Sequence, residues 1–239
     1  MGNRMISAEH LCVGYSKRPV VLGVTLEMQP GELLVLIGTN GSGKSTLLKT
    51  LAGLIQPVHG ELRVLGHHAG QLPTRVAYLP QHPVSSHTLP LQVRDMVSMG
   101  RFAHLGLFNR ATASDRTIVE QSMVRTGIDR QASKPIRDLS SGQQQRTHLA
   151  QMLARQAEVL LLDEPTAGLD INGRKFVADL VSAERARGVT VVMATHELKD
   201  AEDATSVMLL AQRVVSVGPP NIALRDEYLR ECFGFTQPH

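Results

Sequence analysis

Leu33-Leu34-Val35-Leu36-Ile37-Gly38-Thr39-Asn40-Gly41-Ser42-Gly43-Lys44-Ser45-Thr46-Leu47-Leu48 joins an apolar run of strand length to a helical pattern through a glycine-rich turn. Gly38, Gly43, Lys44 and Ser45 stand at the spacing G-x-x-x-x-G-K-[ST], the pattern of a phosphate-binding loop. Gly41 and Gly43 lack a Cβ, so the backbone there can curl tightly with its N–H groups turned inward. A helix opening near Lys44 adds unpaired N–H groups and roughly half a positive charge at its first turn. Lys44 then supplies a mobile charge for the outer phosphates of a nucleoside triphosphate, and Ser45 a hydroxyl for a magnesium ion. The strand before the loop and the helix after it are the context this pattern requires.

Outward from the loop, the 239 residues suffice for one large α/β domain and leave no room for a second full catalytic unit. The net charge of +3 is mild and no lysine/arginine block stands out, which argues against a dedicated nucleic-acid binder. Tryptophan is absent and aromatic residues are 3%, so base-stacking platforms are not expected either. Cys12 and Cys232, at opposite ends, form no metal-ligand spacing and fit two ordinary thiols in a reducing compartment. No apolar run approaches the roughly 18–20 residues that span a bilayer, and the N-terminus lacks a signal-peptide core. The chain is therefore expected to be soluble or peripheral, reaching a membrane only through a partner.

Taken in order, Ile6–Tyr15 and Val20–Met28 read as two strands joined by a turn at Ser16-Lys17-Arg18-Pro19. Gly53 and Pro57 end the helix after the loop, and Glu61–Leu65 and Val76–Leu79 read as further short strands. Between about residues 83 and 140 no strand pattern occurs. Gln92–Arg101 and a segment carrying Ile118, Val119, Ser122 and Met123 read as helices, the latter ended by Gly127. This stretch is expected to be a helical subdomain inserted into an α/β core made by about residues 1–82 and 141–220. Val159–Leu162 and Val189–Met193 are short continuous apolar runs, the pattern of parallel strands covered on both faces. Phe176, Val177, Leu180 and Val181 give the helix between them its buried stripe. Ser206–Leu210 and Arg213–Val217 close the sheet, and a last helix is expected from about Leu224 to Cys232, within a C-terminal stretch of residues 221–239.

Leu160-Leu161-Leu162-Asp163-Glu164 puts two carboxylates at the C-terminal end of a buried strand, the edge where ligands sit in parallel sheets. A hard cation on phosphates needs an oxygen ligand there, so Asp163 is its candidate, directly or through water. Glu164 points elsewhere and is the candidate to polarise the attacking water. His196 follows a strand ending at Thr195 on the same edge, within reach of a terminal phosphate. Gln81, just past the strand ending at Leu79, is placed to reach the magnesium shell through its amide. Ser140 and Gln143 match an S-x-x-Q capping box, so a plain helix start accounts for both. With Gly142 they also make a second helix N-terminus suited to an anion, although one phosphate loop is present to supply one. His67, His68, His82 and His87 lack the spacing of a prepared metal site.

Gly38–Thr46, Gln81, Leu139–Gln143, Leu160–Glu164, Ala167-Gly168-Leu169-Asp170 and His196 occur in the order of an ATP-binding subunit of an ABC transporter, and the resemblance covers nearly the whole chain. It implies a phosphate-loop ATPase fold of that family: a mostly parallel core sheet, an N-terminal antiparallel β subdomain and an inserted helical subdomain. It also implies that Tyr15 stacks on adenine, and that Lys44 with the loop residues Gly38, Asn40, Gly41, Ser42, Gly43 and Thr46 holds the phosphates of ATP. Ser45, Gln81 and Asp163 then belong to the Mg2+ shell, Glu164 is the general base, and His196 contacts the γ-phosphate. Ser140, Gly142 and Gln143 belong to the signature that closes over ATP held by a second subunit, with Asp170 on the seam. Two copies head to tail about a two-fold axis would resolve the puzzle of the second anion site. The chain departs from the family's commonest LSGGQ signature at Ser141, which stands in place of its first glycine.

Met99-Gly100-Arg101-Phe102-Ala103-His104-Leu105-Gly106-Leu107-Phe108 is similar to the helical-subdomain segment of subunits that power manganese, zinc or iron uptake. Siderophore, haem and cobalamin importers carry a related segment, and a soluble ABC ATPase for iron–sulfur cluster assembly is the reading from another class. The resemblance implies an integral membrane permease and an extracytoplasmic substrate-binding protein as partners, with this subunit peripheral on the cytoplasmic face of the membrane.

Overall fold

The computed structural model describes residues 4–16, 18–81, 91–105 and 109–234. Lys17, His82, His87, Gly106, Leu107 and Phe108 lie outside them. Alternating burial along β1 (Ile6–Tyr15) and β2 (Arg18–Met28) pairs them as an antiparallel hairpin. Tyr15 pairs with Arg18, so β2 starts two residues earlier than its apolar pattern suggests. β3 (Leu33–Ile37) is buried at every position and leads through the loop into α1 (Lys44–Leu51). Gly53, at φ +73°, ends that helix. β4 (His59–Val64) pairs with β1, and a turn at Leu65-Gly66 brings in β5 (His67–His68), a two-residue strand not anticipated from the sequence. Both histidines of β5 are exposed. These four strands form one sheet in the order β2-β1-β4-β5.

β6 (Val76–Leu79) precedes a helical stretch: α2 (Val93–Met99), α3 (Phe102–Leu105) and α4 (Ala113–Thr126). Gln92, expected inside the first of these helices, is its N-cap, joined to Asp95 in a capping box. Val93, Val97, Val119, Met123 and Ile128 pack with Leu139, Ala150 and Ala154 in a separate apolar cluster. Arg101 and Asp115 close its edge with a buried ion pair of 2.9 Å. α5 (Ser141–Ala154) belongs to both regions, since Leu149, Met152 and Leu153 pack on the core sheet.

β7 (Val159–Asp163), α6 (Ile171–Ala186), β8 (Thr190–Thr195), β9 (Ser206–Leu210) and β10 (Val214–Gly218) complete the core. The expected final helix is α8 (Asp226–Phe233), and a short helix not anticipated from the sequence, α7 (Pro220–Ala223), precedes it, the two separated where Leu224 and Arg225 leave helical geometry. The second sheet runs β10-β9-β3-β8-β7-β6, all parallel except the β10–β9 pair.

Strand parity divides this sheet's side chains. Leu34, Leu36, Leu161, Val192, Ala194, Met208 and Leu210 face α1 and the antiparallel sheet. Val35, Ile37, Leu160, Leu162, Val191, Met193, Val207 and Leu209 face α5, α6 and α8. The neighbouring order β3-β8-β7-β6 sets Gly38, His196, Asp163, Glu164 and Gln81 along one carboxyl edge.

Candidate active site

The phosphate loop is held by close contacts that only glycine permits. A Cβ on Gly38 would stand 2.2 Å from Leu210 O, and one on Gly43, at φ +103°, 2.1 Å from Val21 Cγ2. Ser42 N donates to Thr39 O at 3.1 Å and closes the turn. The Ser42 hydroxyl is buried without a hydrogen-bond partner, the kind of polar group that a bound oxyanion would satisfy. Lys44 is 5% exposed, and its Nζ donates to Gly38 O at 2.7 Å and Thr39 O at 3.1 Å. Burial lowers its pKa, opposed by the charges of Glu164 and Asp163.

Parity decides what the two carboxylates do. Asp163 lies two residues after Leu161, so it points to the α1 face, where Ser45 Oγ donates to its Oδ1 at 3.1 Å. Tyr78 OH donates to Oδ2, also at 3.1 Å. Asp163 is 3% exposed, and burial raises its pKa against the two hydroxyl donors and Lys44. Burial first, then the Asp163 charge, pushes the Tyr78 phenol up, which keeps it a donor. Glu164 leaves the strand at φ +49°, its N–H donating to Ala194 O at 2.9 Å, and so turns away from Asp163. Its Oε2 accepts from Gln81 Nε2 at 2.8 Å, and His196 Nδ1 lies 3.6 Å from the same oxygen.

These groups border an open cleft lined by Tyr15, Val20, Asn40, Gly41, Ser42, Gly43, Lys44, Ser45, Thr46, Gln81 and Glu164. Tyr15, at the end of β1 and 49% exposed, presents its ring at one side of the cleft. Asp163 is not among the lining residues. It lies behind Ser45, which is. Hydroxyl and carboxylate oxygens are the donors a hard divalent cation takes, so Ser45 backed by Asp163 fits Mg2+.

Ser140, Gly142, Gln143 and Asp170 are not brought to this cleft. Ser140 caps α5, its Oγ accepting from Gln143 N at 3.3 Å while Gln143 Oε1 accepts from Ser140 N at 3.1 Å. Asp170 caps α6, accepting from Gly173 N at 2.8 Å. A Cβ on Gly142 would meet nothing within 4 Å. Two groups at this edge were not anticipated. Tyr78 shares the Asp163 face only through the β6–β7 register, a long-range pairing that no local pattern shows. Asp200 accepts from Thr195 at 2.6 Å and Thr166 at 3.1 Å, tying the segments after β7 and β8 together, and no short-range pattern announces it.

The model of the ABC transporter family matches residues 21–167, the stretch that carries the loop, Gln81, Ser140–Gln143 and both carboxylates. The chain belongs to the ABC transporter family. This ABC ATPase is 34% identical over 91% of its length to the manganese transport system ATP-binding protein MntB of Halalkalibacterium halodurans, covering 87% of that protein. It is 33% identical over 96% of its length to the zinc transport system ATP-binding protein TroB of Treponema pallidum, covering 86% of it. Among solved structures it is similar to an inward-facing metal-chelate-type ABC transporter, with a TM-score of 0.85 and 28% identity over 97% of this chain and 89% of that one. As an ABC ATPase the chain binds and hydrolyses ATP. Among the described residues no helix is long and apolar enough to cross a membrane.

Proposed function

We propose that this ABC ATPase energises uptake of a transition-metal ion, manganese or zinc, through a separate integral membrane permease on whose cytoplasmic side it sits. Supporting the choice of cargo are the manganese and zinc transport names of its relatives over more than nine-tenths of the chain. An extracytoplasmic binding protein would deliver the ion, which never meets the residues described above.

The observation that carries the ATPase cycle is the separation of the two anion-suited helix starts: the loop before α1 lines the cleft and the start of α5 does not. A second copy, head to tail, places its Ser140, Gly142 and Gln143 over the ATP of the first, with Asp170 at the seam. Within one subunit Tyr15 stacks on adenine, the loop N–H groups hold the phosphates, and Lys44 exchanges its carbonyl partners for phosphate oxygens. Ser45, Asp163 and Gln81 would hold Mg2+, which supplies positive charge to the outer phosphates when bound. Glu164 accepts a proton from the water that attacks the γ-phosphorus, and the bond to the bridging oxygen of ADP breaks. His196, beside Glu164, holds the γ-phosphate oxygens. Loss of the γ-phosphate removes the group shared by loop and signature, so the pair opens, and the helical residues between about 83 and 140 transmit this to the permease.

Manganese, zinc and iron uptake in cells with and without the chain tests the cargo. Loss of manganese or zinc uptake alone is expected. Loss of ferric-chelate, haem or cobalamin uptake instead would assign it to that importer class. Unchanged uptake with no co-purifying permease would point to a soluble assembly ATPase.

A further inference from the structure

β6 touches both carboxylates of the site. Gln81, beyond its end, binds Glu164, while Tyr78, inside it, binds Asp163. Tyr78 pairs with Leu161 in the parallel register, so its side chain shares a face with Leu161 and Asp163 and leans along the strand toward the carboxyl edge. It does not line the nucleotide cleft. Its hydroxyl reaches the site through its hydrogen bond to Asp163.

A carboxylate on its own turns easily about its last torsion. Here each oxygen has its own hydroxyl donor, Tyr78 on Oδ2 and Ser45 on Oδ1, and two donors on two oxygens fix the plane of the group. A serine hydroxyl has one hydrogen and two lone pairs. With its hydrogen committed to Oδ1, Ser45 Oγ has its lone pairs left for a cation at the cleft wall. We propose that Tyr78 is a positioning residue for the divalent cation of the nucleotide complex: by fixing Asp163 it sets the direction in which Ser45 presents its oxygen. The inference rests on the reading of Ser45 and Asp163 as the cation's holders and assigns to a third residue the control of that pair.

Tyr78→Phe removes one oxygen and keeps the ring. Binding of a fluorescent ATP analogue is measured in EDTA and across a Mg2+ titration, beside hydrolysis over the same titration. Nucleotide affinity in EDTA is expected within about twofold of the parent. The Mg2+ concentration for half-maximal tightening should rise about tenfold, the order expected for a lost hydrogen bond to a charged acceptor. Turnover at saturating Mg2+ should fall much less. Tyr78→Met, which fills the space with a flexible apolar chain, should behave alike and serves if the phenylalanine variant does not fold. Equal weakening with and without Mg2+, or an unmoved Mg2+ midpoint in both variants, would overturn the proposal. Ser45→Ala separates the two levels. If it keeps the parent's Mg2+ dependence, the cation reading is overturned; if it loses it while Tyr78→Phe stays at the parent's midpoint, the role given to Tyr78 alone falls.

Discussion

Gln81 donates its amide hydrogen to Glu164 Oε2 at 2.8 Å, across 83 residues of sequence. Gln81 follows the last strand residue of β6, Leu79, by two positions, so the exit of that strand is bonded to the carboxylate proposed above to activate water. Glu164→Gln preserves the size of the side chain and an oxygen able to accept from Gln81, but not a base. Hydrolysis is expected to fall by about 10²- to 10⁴-fold, the usual worth of a positioned general base. ATP binding should persist and the closed dimer should accumulate. Phosphate release and sedimentation in ATP check both, and turnover near the parent's would remove Glu164 from the role.

Lys44 spends its charge on two carbonyls of its own loop, Gly38 O and Thr39 O. Those bonds hold the ammonium against its own loop in the cleft wall, and under the proposed function they are traded for phosphate oxygens. Lys44→Ala should weaken ATP binding by roughly 10- to 100-fold, the order of one charged hydrogen-bonding partner. Equilibrium binding of a fluorescent nucleotide measures it. Unaltered affinity would contradict the assignment of the loop.

Where the chemistry is local, the sequence is readable. Gly38–Ser45 predicts strand, loop and helix because each residue acts on its own neighbours, and the Ser140–Gln143 capping box is present with both of its bonds. The central strands β3, β7 and β8 read as continuous apolar runs because both their faces are covered. What could not be read depends on distance. β5 exists only because the Leu65-Gly66 turn folds His67-His68 back on β4. Tyr78 meets a partner 85 residues away, and Asp200 gathers hydroxyls from two other segments. Arg101, between α2 and α3, is buried against Asp115 and Ala154 O, 14 and 53 residues away.

Gly142 separates folding from pairing. Its missing Cβ would touch nothing within 4 Å, so Gly142→Ala strains no contact within the subunit. As a helical residue of α5 it should leave stability unchanged or raise it by less than about 1 kcal/mol. If a second subunit closes over this helix start, the added methyl overpacks that seam at a cost of about 1–3 kcal/mol. ATP-driven association, followed by sedimentation in the Glu164→Gln background, should weaken by roughly 5- to 150-fold. Association as tight as before would mean that this face is not the seam.

Asp115 ties the helical region through three different bonds. Its Oδ2 accepts from the Thr112 hydroxyl at 2.6 Å and the Thr112 N–H at 2.9 Å, while Oδ1 accepts from Arg101 Nε at 2.9 Å. The Thr112 hydroxyl, then its backbone N–H, then Arg101, lower the carboxyl from an ordinary 3.8 to about 2. A carboxyl depressed on folding stabilises the native state above its unfolded pKa and loses that contribution as pH falls through the folded one. Stability should therefore decline between about pH 4 and pH 2, the window those two values set. Asp115→Asn should be less stable at neutral pH and show a shallower acid slope in denaturant titrations. If the variant kept the parent's full acid slope, the lost stability would belong to other carboxylates.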